Sequence, residues 1–104
     1  MSTKSAILIQ DQNGSWAIHY CHYDGYPSHM LPALAKTDPH DIIAAKELRS
    51  ISAEGTCEAF DRPRCAIKTD CPTMPEWADH AYVLTANEWH HADNRRALET
   101  LTKT

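Results

Sequence analysis

No run of apolar residues in this chain approaches the ~18 that a membrane-spanning helix needs. The short one near its start, Ala6-Ile7-Leu8-Ile9, breaks at Gln10 and Asp11. A secretory leader is therefore not expected, and a cytosolic location is. Charge of one sign is scarce too. Ten Lys and Arg against fourteen Asp and Glu leave a formal charge of −4. That is too mild for a DNA mimic and has the wrong sign for a general nucleic-acid binder. A phosphate-cradling glycine loop, a dinucleotide fingerprint, a carboxylate pair and a Ser-x-x-Lys motif are all missing, so no enzyme class is signalled by them. Repeats, linkers and low-complexity runs are missing as well. What is present suffices for one domain over residues 1–104. The chain has 42% hydrophobic and 23% charged residues, and domains run to about 100–150 residues.

The four cysteines, Cys21, Cys57, Cys65 and Cys71, do not read as a disulfide framework in a cytosolic chain. The gaps of seven residues between Cys57 and Cys65 and five between Cys65 and Cys71 exceed those of zinc knuckles. No cofactor is therefore expected. Cys21 and His22 with a distant partner are the weak alternative for a metal. Seven histidines would move the formal charge from −4 to +3 if all were protonated. A charge-driven partner would then be lost or exchanged between neutral and mildly acid pH.

Residues 5–22 predict a β-hairpin, with Asp11-Gln12-Asn13-Gly14 supplying a tight turn. On the return strand Trp16, Ile18, Tyr20 and His22 share one face, and Ala17, His19 and Cys21 the other. The aromatic-rich face is expected to be the core face. Gly25 suits a sharp turn, and Pro27 opens a short helix to about Lys36, limited by Pro32. Thr37-Asp38-Pro39 signals a second helix, expected to reach about Arg49 and to bury Ile42, Ala45 and Leu48. Residues 50–79 are poor in pattern, with one strand expected over Arg64–Thr69. A second hairpin over 81–91 and a C-terminal helix capped by Asp93 or Asn94 complete the chain. The expected fold is α+β: an antiparallel sheet of about four to five strands in two hairpins, with two to three helices packed on one face.

Chemistry is concentrated in His19-Tyr20-Cys21-His22-Tyr23-Asp24-Gly25-Tyr26-Pro27, at a strand-to-helix junction where ligands and partners are often met. A thiolate at Cys21 with His22 as base is disfavoured, because adjacent strand residues point to opposite faces. Asp24 and Gly25 read as turn residues. Tyr20 reads as packing, and Tyr23, Asp24, Tyr26 and His29 as a protein-contact surface. A second cluster, Trp89-His90-His91 with His80 and Tyr82, lets at most one of the paired histidines meet His80. The small basic spots Arg62-Pro63-Arg64 and Arg95-Arg96 lack a surrounding basic field, so direct nucleic-acid binding is not expected.

Ser2-Thr3-Lys4-Ser5 opening a strand, followed by Tyr20-Cys21-His22-Tyr23-Asp24-Gly25-Tyr26-Pro27-Ser28-His29, resembles a group of small bacteriophage and prophage accessory proteins of unassigned function. Their signature is Tyr-Cys-His-aromatic-Asp-Gly-Tyr-Pro. The likeness continues weakly through Ile51-Ser52, Phe60-Asp61-Arg62-Pro63 and Tyr82-Val83-Leu84 to Glu88-Trp89. Tyr23 stands where the family usually has tryptophan, and Met30-Leu31 where it has Val-Gly. The resemblance implies a viral accessory protein in the host bacterial cytoplasm. Such a protein would act by binding and inhibiting a host protein complex rather than as an enzyme. Its most specific form is an anti-CRISPR-like inhibitor of a nucleic-acid-binding defence effector. The alternative is a small-molecule- or metal-binding module built on the Tyr20–Pro27 loop.

Overall fold

The computed structural model describes residues 3–102. Ser2, part of the opening quoted above, lies outside the described residues. The first hairpin forms as its sequence predicts. Strands β1 (Ser5–Gln10) and β2 (Trp16–Cys21) pair antiparallel from Ser5 opposite Cys21 to Gln10 opposite Trp16. At the turn, the Asp11 carboxylate accepts from the backbone of Asn13 and Ser15, and Gly14 takes a φ of 89° that a side chain would resist. Helices α1 (Pro27–Ala35) and α2 (Pro39–Ala45) follow, each with proline in its first turn. The Asp38 side chain caps α2 by accepting from His40 N.

Beyond Ala45 the chain departs from expectation. The second helix does not reach Arg49: Lys46 turns at φ 65°, and Leu48–Ile51 is a strand, β3. β3 pairs parallel to β2 at Cys21, and antiparallel to β4 (Cys57–Ala59) with a register shift between Leu48 and Ser50. That irregularity explains the misreading. An extra residue breaks the two-residue alternation of a strand, so Leu48 and Ile51, three apart as on a helix, both enter the same core. The short β5 (Ile67–Thr69) pairs with Trp16–Ile18 of β2 and is smaller than the strand expected over Arg64–Thr69. The closing hairpin β6 (His80–Thr85) and β7 (Glu88–Ala92) leads into α3 (Arg95–Thr102), with Asn94 Oδ1 accepting from Ala97 N at the helix start.

The architecture is α+β, but the sheet is larger than expected and mixed rather than antiparallel. Its order is β4-β3-β2-β1-β6-β7, with β5 attached to β2. Central β1 lies antiparallel to β2 and parallel to β6. The helices also occupy both faces, not one. Ile7 and Ile9 of β1 pack with Met30, Leu34 and Ile42 of α1 and α2, whereas Ala6 and Leu8 pack with Leu98 of α3. A strand covered on both sides reads as a continuous apolar run, which is what Ala6-Ile7-Leu8-Ile9 is. No helix among the described residues is long and apolar enough to cross a membrane.

Candidate functional site

The corner between β2 and α1 is held from three directions. His22 N and Tyr23 N donate to the carbonyls of Leu48 and Arg49, extending β2 along β3. Gly25 N donates to Thr3 O at 2.9 Å, just ahead of β1. The buried Tyr82 hydroxyl of β6 donates to Gly25 O at 2.5 Å, and burial pushes its pKa above the ordinary tyrosine range. The turn itself corrects the expectation for Gly25. The left-handed residue is Asp24, at φ 55°. Glycine is required one position later because a Cβ there would stand 2.6 Å from Thr3 O.

Clamped backbone displays free side chains. Tyr23 and Tyr26 are 43% and 42% exposed, and Asp24 is exposed between them. His29 on α1 lies 6.0 Å from the Tyr26 ring and bonds Ile51 O through Nε2 at 2.7 Å. Among the described residues Tyr23 makes no ring contact with Tyr26. It stands edge-on to His22, with ring centres 4.4 Å apart.

Tyr20 is not a core residue, as its strand face had suggested. It is half-buried, and its hydroxyl and His22 Nδ1 share a hydrogen bond of 2.6 Å. Its ring meets Trp77 edge-on at 4.9 Å, and Phe60 lies alongside both Tyr20 and His22. An aromatic strip therefore runs from Trp77 through Tyr20 and His22 to Tyr23, on the sheet face where α3 instead packs against β6 and β7. Burial, then the Glu47 carboxylate, raises the Tyr20 pKa, so this hydroxyl stays protonated.

Cys21 and His22 do not come together. Cys21 is fully buried in the α1/α2 core with its thiol toward Tyr23 O, and burial pushes its pKa up to about 12. A thiol so buried and so firmly protonated is a poor nucleophile at neutral pH. Among the described residues, no three His, Cys, Asp or Glu side chains gather as a metal site requires. His91 is the member of its pair that meets His80, at 2.8 Å.

Sequence reasoning missed the segment Lys46-Glu47 and its partner Arg64, because residues 46–49 read as helix. Glu47 N bonds Ala45 O at 2.7 Å across Lys46, whose φ of 65° and ψ of −65° define the strained form of a γ-turn. Glu47 is largely buried, and its carboxylate accepts from Arg64 Nε at 2.8 Å and faces Arg64 Nη2 at 2.8 Å. The pair lines a cavity of about 220 Å³ beside Tyr20 and Trp77. Arg64, part of one of the small basic spots, stays solvated with its side chain 81% exposed, and reaches Glu47 from that exposed position. Nothing in the residue pattern signals the pairing, which arises across seventeen positions only once β3 forms.

No protein-family model, no curated protein and no solved structure matches the chain.

Proposed function

We propose that this protein works by binding another protein through its signature corner. Its partner would be a host defence complex of the nucleic-acid-binding kind, inhibited in the bacterial cytoplasm in the manner that the phage-protein resemblance implies. The observation that carries the reading is the pair of half-exposed tyrosines, Tyr23 and Tyr26, on a backbone pinned to Thr3, β3 and β6. Tyrosine buries a large area with few rotors to freeze and keeps a hydroxyl to offer. A pinned corner has already lost the freedom that binding would otherwise remove. Asp24, exposed at the tip, suits an arginine of the kind that lines nucleic-acid grooves. The burial of Cys21 and the high pKa of its thiol speak for binding over nucleophilic catalysis.

In a bacterium with active CRISPR interference, the wild-type chain should protect a targeted phage and co-purify with the effector complex. Tyr23→Ala and Tyr26→Ala should weaken that binding by about 2 kcal/mol, roughly thirtyfold, while melting like the parent. Unchanged protection by both folded variants refutes the corner as contact surface. Absence of protection by the wild type refutes this target class.

A further inference from the structure

On the α1/α2 side of the sheet lies a second cavity, of about 260 Å³, that the contact corner does not use. It opens where the outer edge of β2 changes partner, because β5 pairs as far as Ile18 and β3 begins at Cys21. Ile9, Ala17, Ile43 and Ala66 form its walls, and Ile43 is 49% exposed there. Three charged residues also line it. One oxygen of the Asp11 carboxylate, Oδ1, is occupied by the turn, accepting from both Asn13 N and Ser15 N. Lys46 and Lys68 make no ion pair among the described residues. An apolar chamber whose rim holds two ammonium groups against one carboxylate keeps an excess positive charge and suits an anion with an apolar body.

The wall is also built, not incidental. His19 is only 2% exposed, and its Nδ1 bonds Lys46 O at 2.9 Å, while its Nε2 has no partner. That bond holds Lys46 in the strained γ-turn described above. Strain of this kind persists only where the surroundings enforce it, and it clusters at ligand sites. We infer that this cavity binds a small apolar monocarboxylate, its body against Ile9, Ala17, Ile43 and Ala66 and its carboxylate met by Lys46 and Lys68. The volume falls below the ~300 Å³ at which drug-sized pockets begin, so the occupant is a single short chain or ring. Burial and the nearby Lys68 both depress the His19 pKa, and a carboxylate placed beside Lys68 opposes the second effect. The His19 ring therefore reports occupancy.

The test is titration of the purified protein with octanoate, followed by calorimetry and by the His19 ring resonances. Acetate supplies the head group alone, octanol the chain alone, and an acetylated peptide ending in leucine an apolar carboxylate on a polypeptide. Octanoate should bind and shift His19, with acetate and octanol at least tenfold weaker. Lys68→Gln should weaken octanoate about tenfold, the loss of one charge-assisted contact. Ala17→Leu should abolish binding by filling the chamber, and Ala66→Leu replaces it should Ala17→Leu lower the melting temperature. The inference fails if millimolar octanoate leaves His19 unmoved, if acetate or octanol binds as well, or if either Lys68→Gln or the folded cavity-filling variant binds normally. It also fails if the peptide binds more tightly than octanoate, since the site would then be one for chain termini. None of these readouts depends on the tyrosine corner.

Discussion

Replacing Gly25 by alanine isolates what the corner demands of its backbone. Two effects oppose each other. Alanine restricts the unfolded chain and by that route stabilises by about 0.4–1 kcal/mol. In the fold, its Cβ would lie 2.6 Å from Thr3 O and 3.0 Å from Ser5 Cβ, whereas carbon–oxygen contacts normally begin near ~3.3 Å. Neither neighbour is free to retreat. Lys4 N is bonded to the Asp79 carboxylate, Lys4 O accepts from Asp79 N, and Ser5 is fully buried in β1. The corner must move instead, weakening both Gly25 N to Thr3 O and Tyr82 to Gly25 O. Overpacking costs about 1–3 kcal/mol and a lost hydrogen bond about 1. The clash therefore outweighs the entropy gain, and the net loss is about 2–3 kcal/mol. At ~4–8 °C per kcal/mol for a domain of this size, melting falls by on the order of 10–20 °C. Circular dichroism melts of the parent, Gly25→Ala and Asp24→Gly measure it. Asp24→Gly relieves the φ of 55° and should leave the melt nearly unchanged, although it adds a glycine to the same loop. A Gly25→Ala melt within ~2 °C of the parent refutes the close-approach argument.

Tyr82→Phe removes the buried donor to Gly25 O and should cost about 1–2 kcal/mol in urea unfolding, the price of a stranded acceptor; no change would mean that water replaces the hydroxyl. His19 and His91 have pKa values lowered chiefly by burial, so below about pH 6.5 the unfolded chain binds more protons than the folded one. Stability should therefore be lost as pH falls through that point, by up to about 1.4 kcal/mol per unit for the buried His19 and by much less for His91, whose charge water screens. His19→Gln should flatten the fall, and an identical slope in that variant would exclude His19 as its source. With a thiol reagent at pH 8, the exposed Cys65 and Cys71 should react quickly. Cys57, pushed up to about 11, should lag, and Cys21 should wait for unfolding; early labelling of Cys21, read by mass spectrometry, would contradict its burial.

The first hairpin, the caps at Asp38 and Asn94 and the closing hairpin were legible because each depends on local chemistry. A turn residue, a capping oxygen or an alternating run acts within a few positions. β3 was hidden by its irregular register, which gave a strand the spacing of a helix. β4, three residues long and mostly exposed, carries no pattern long enough to read, and β5, equally short, was legible as a strand but not in its length. The side of the sheet that α3 covers is set by tertiary packing, and an amphipathic stripe does not say which face it meets. At the site, the exposed Tyr23 and Tyr26 followed from their place beyond the strand end. Asp24 rather than Gly25 took the left-handed angle because the crowding at Thr3 fixes where a side chain is forbidden. Lys46, Glu47 and Arg64 were unreadable, since their roles exist only after residues distant in sequence have met.

The parallel pairing of β1 with β6 joins Ser5 to His80 and Ile9 to Leu84 at the middle of the sheet. During synthesis, β1 leaves the ribosome long before the strand that must flank it has been translated. The half-sheet made first keeps the β6-facing edge of its most apolar strand open, and only arrival of the last hairpin closes it. A stop codon anywhere ahead of β6 therefore yields a chain with an uncapped adhesive edge, a target for chaperones and proteases, and not a smaller working protein. Production of this sheet is in that sense all or none, decided by whether β6 and β7 emerge.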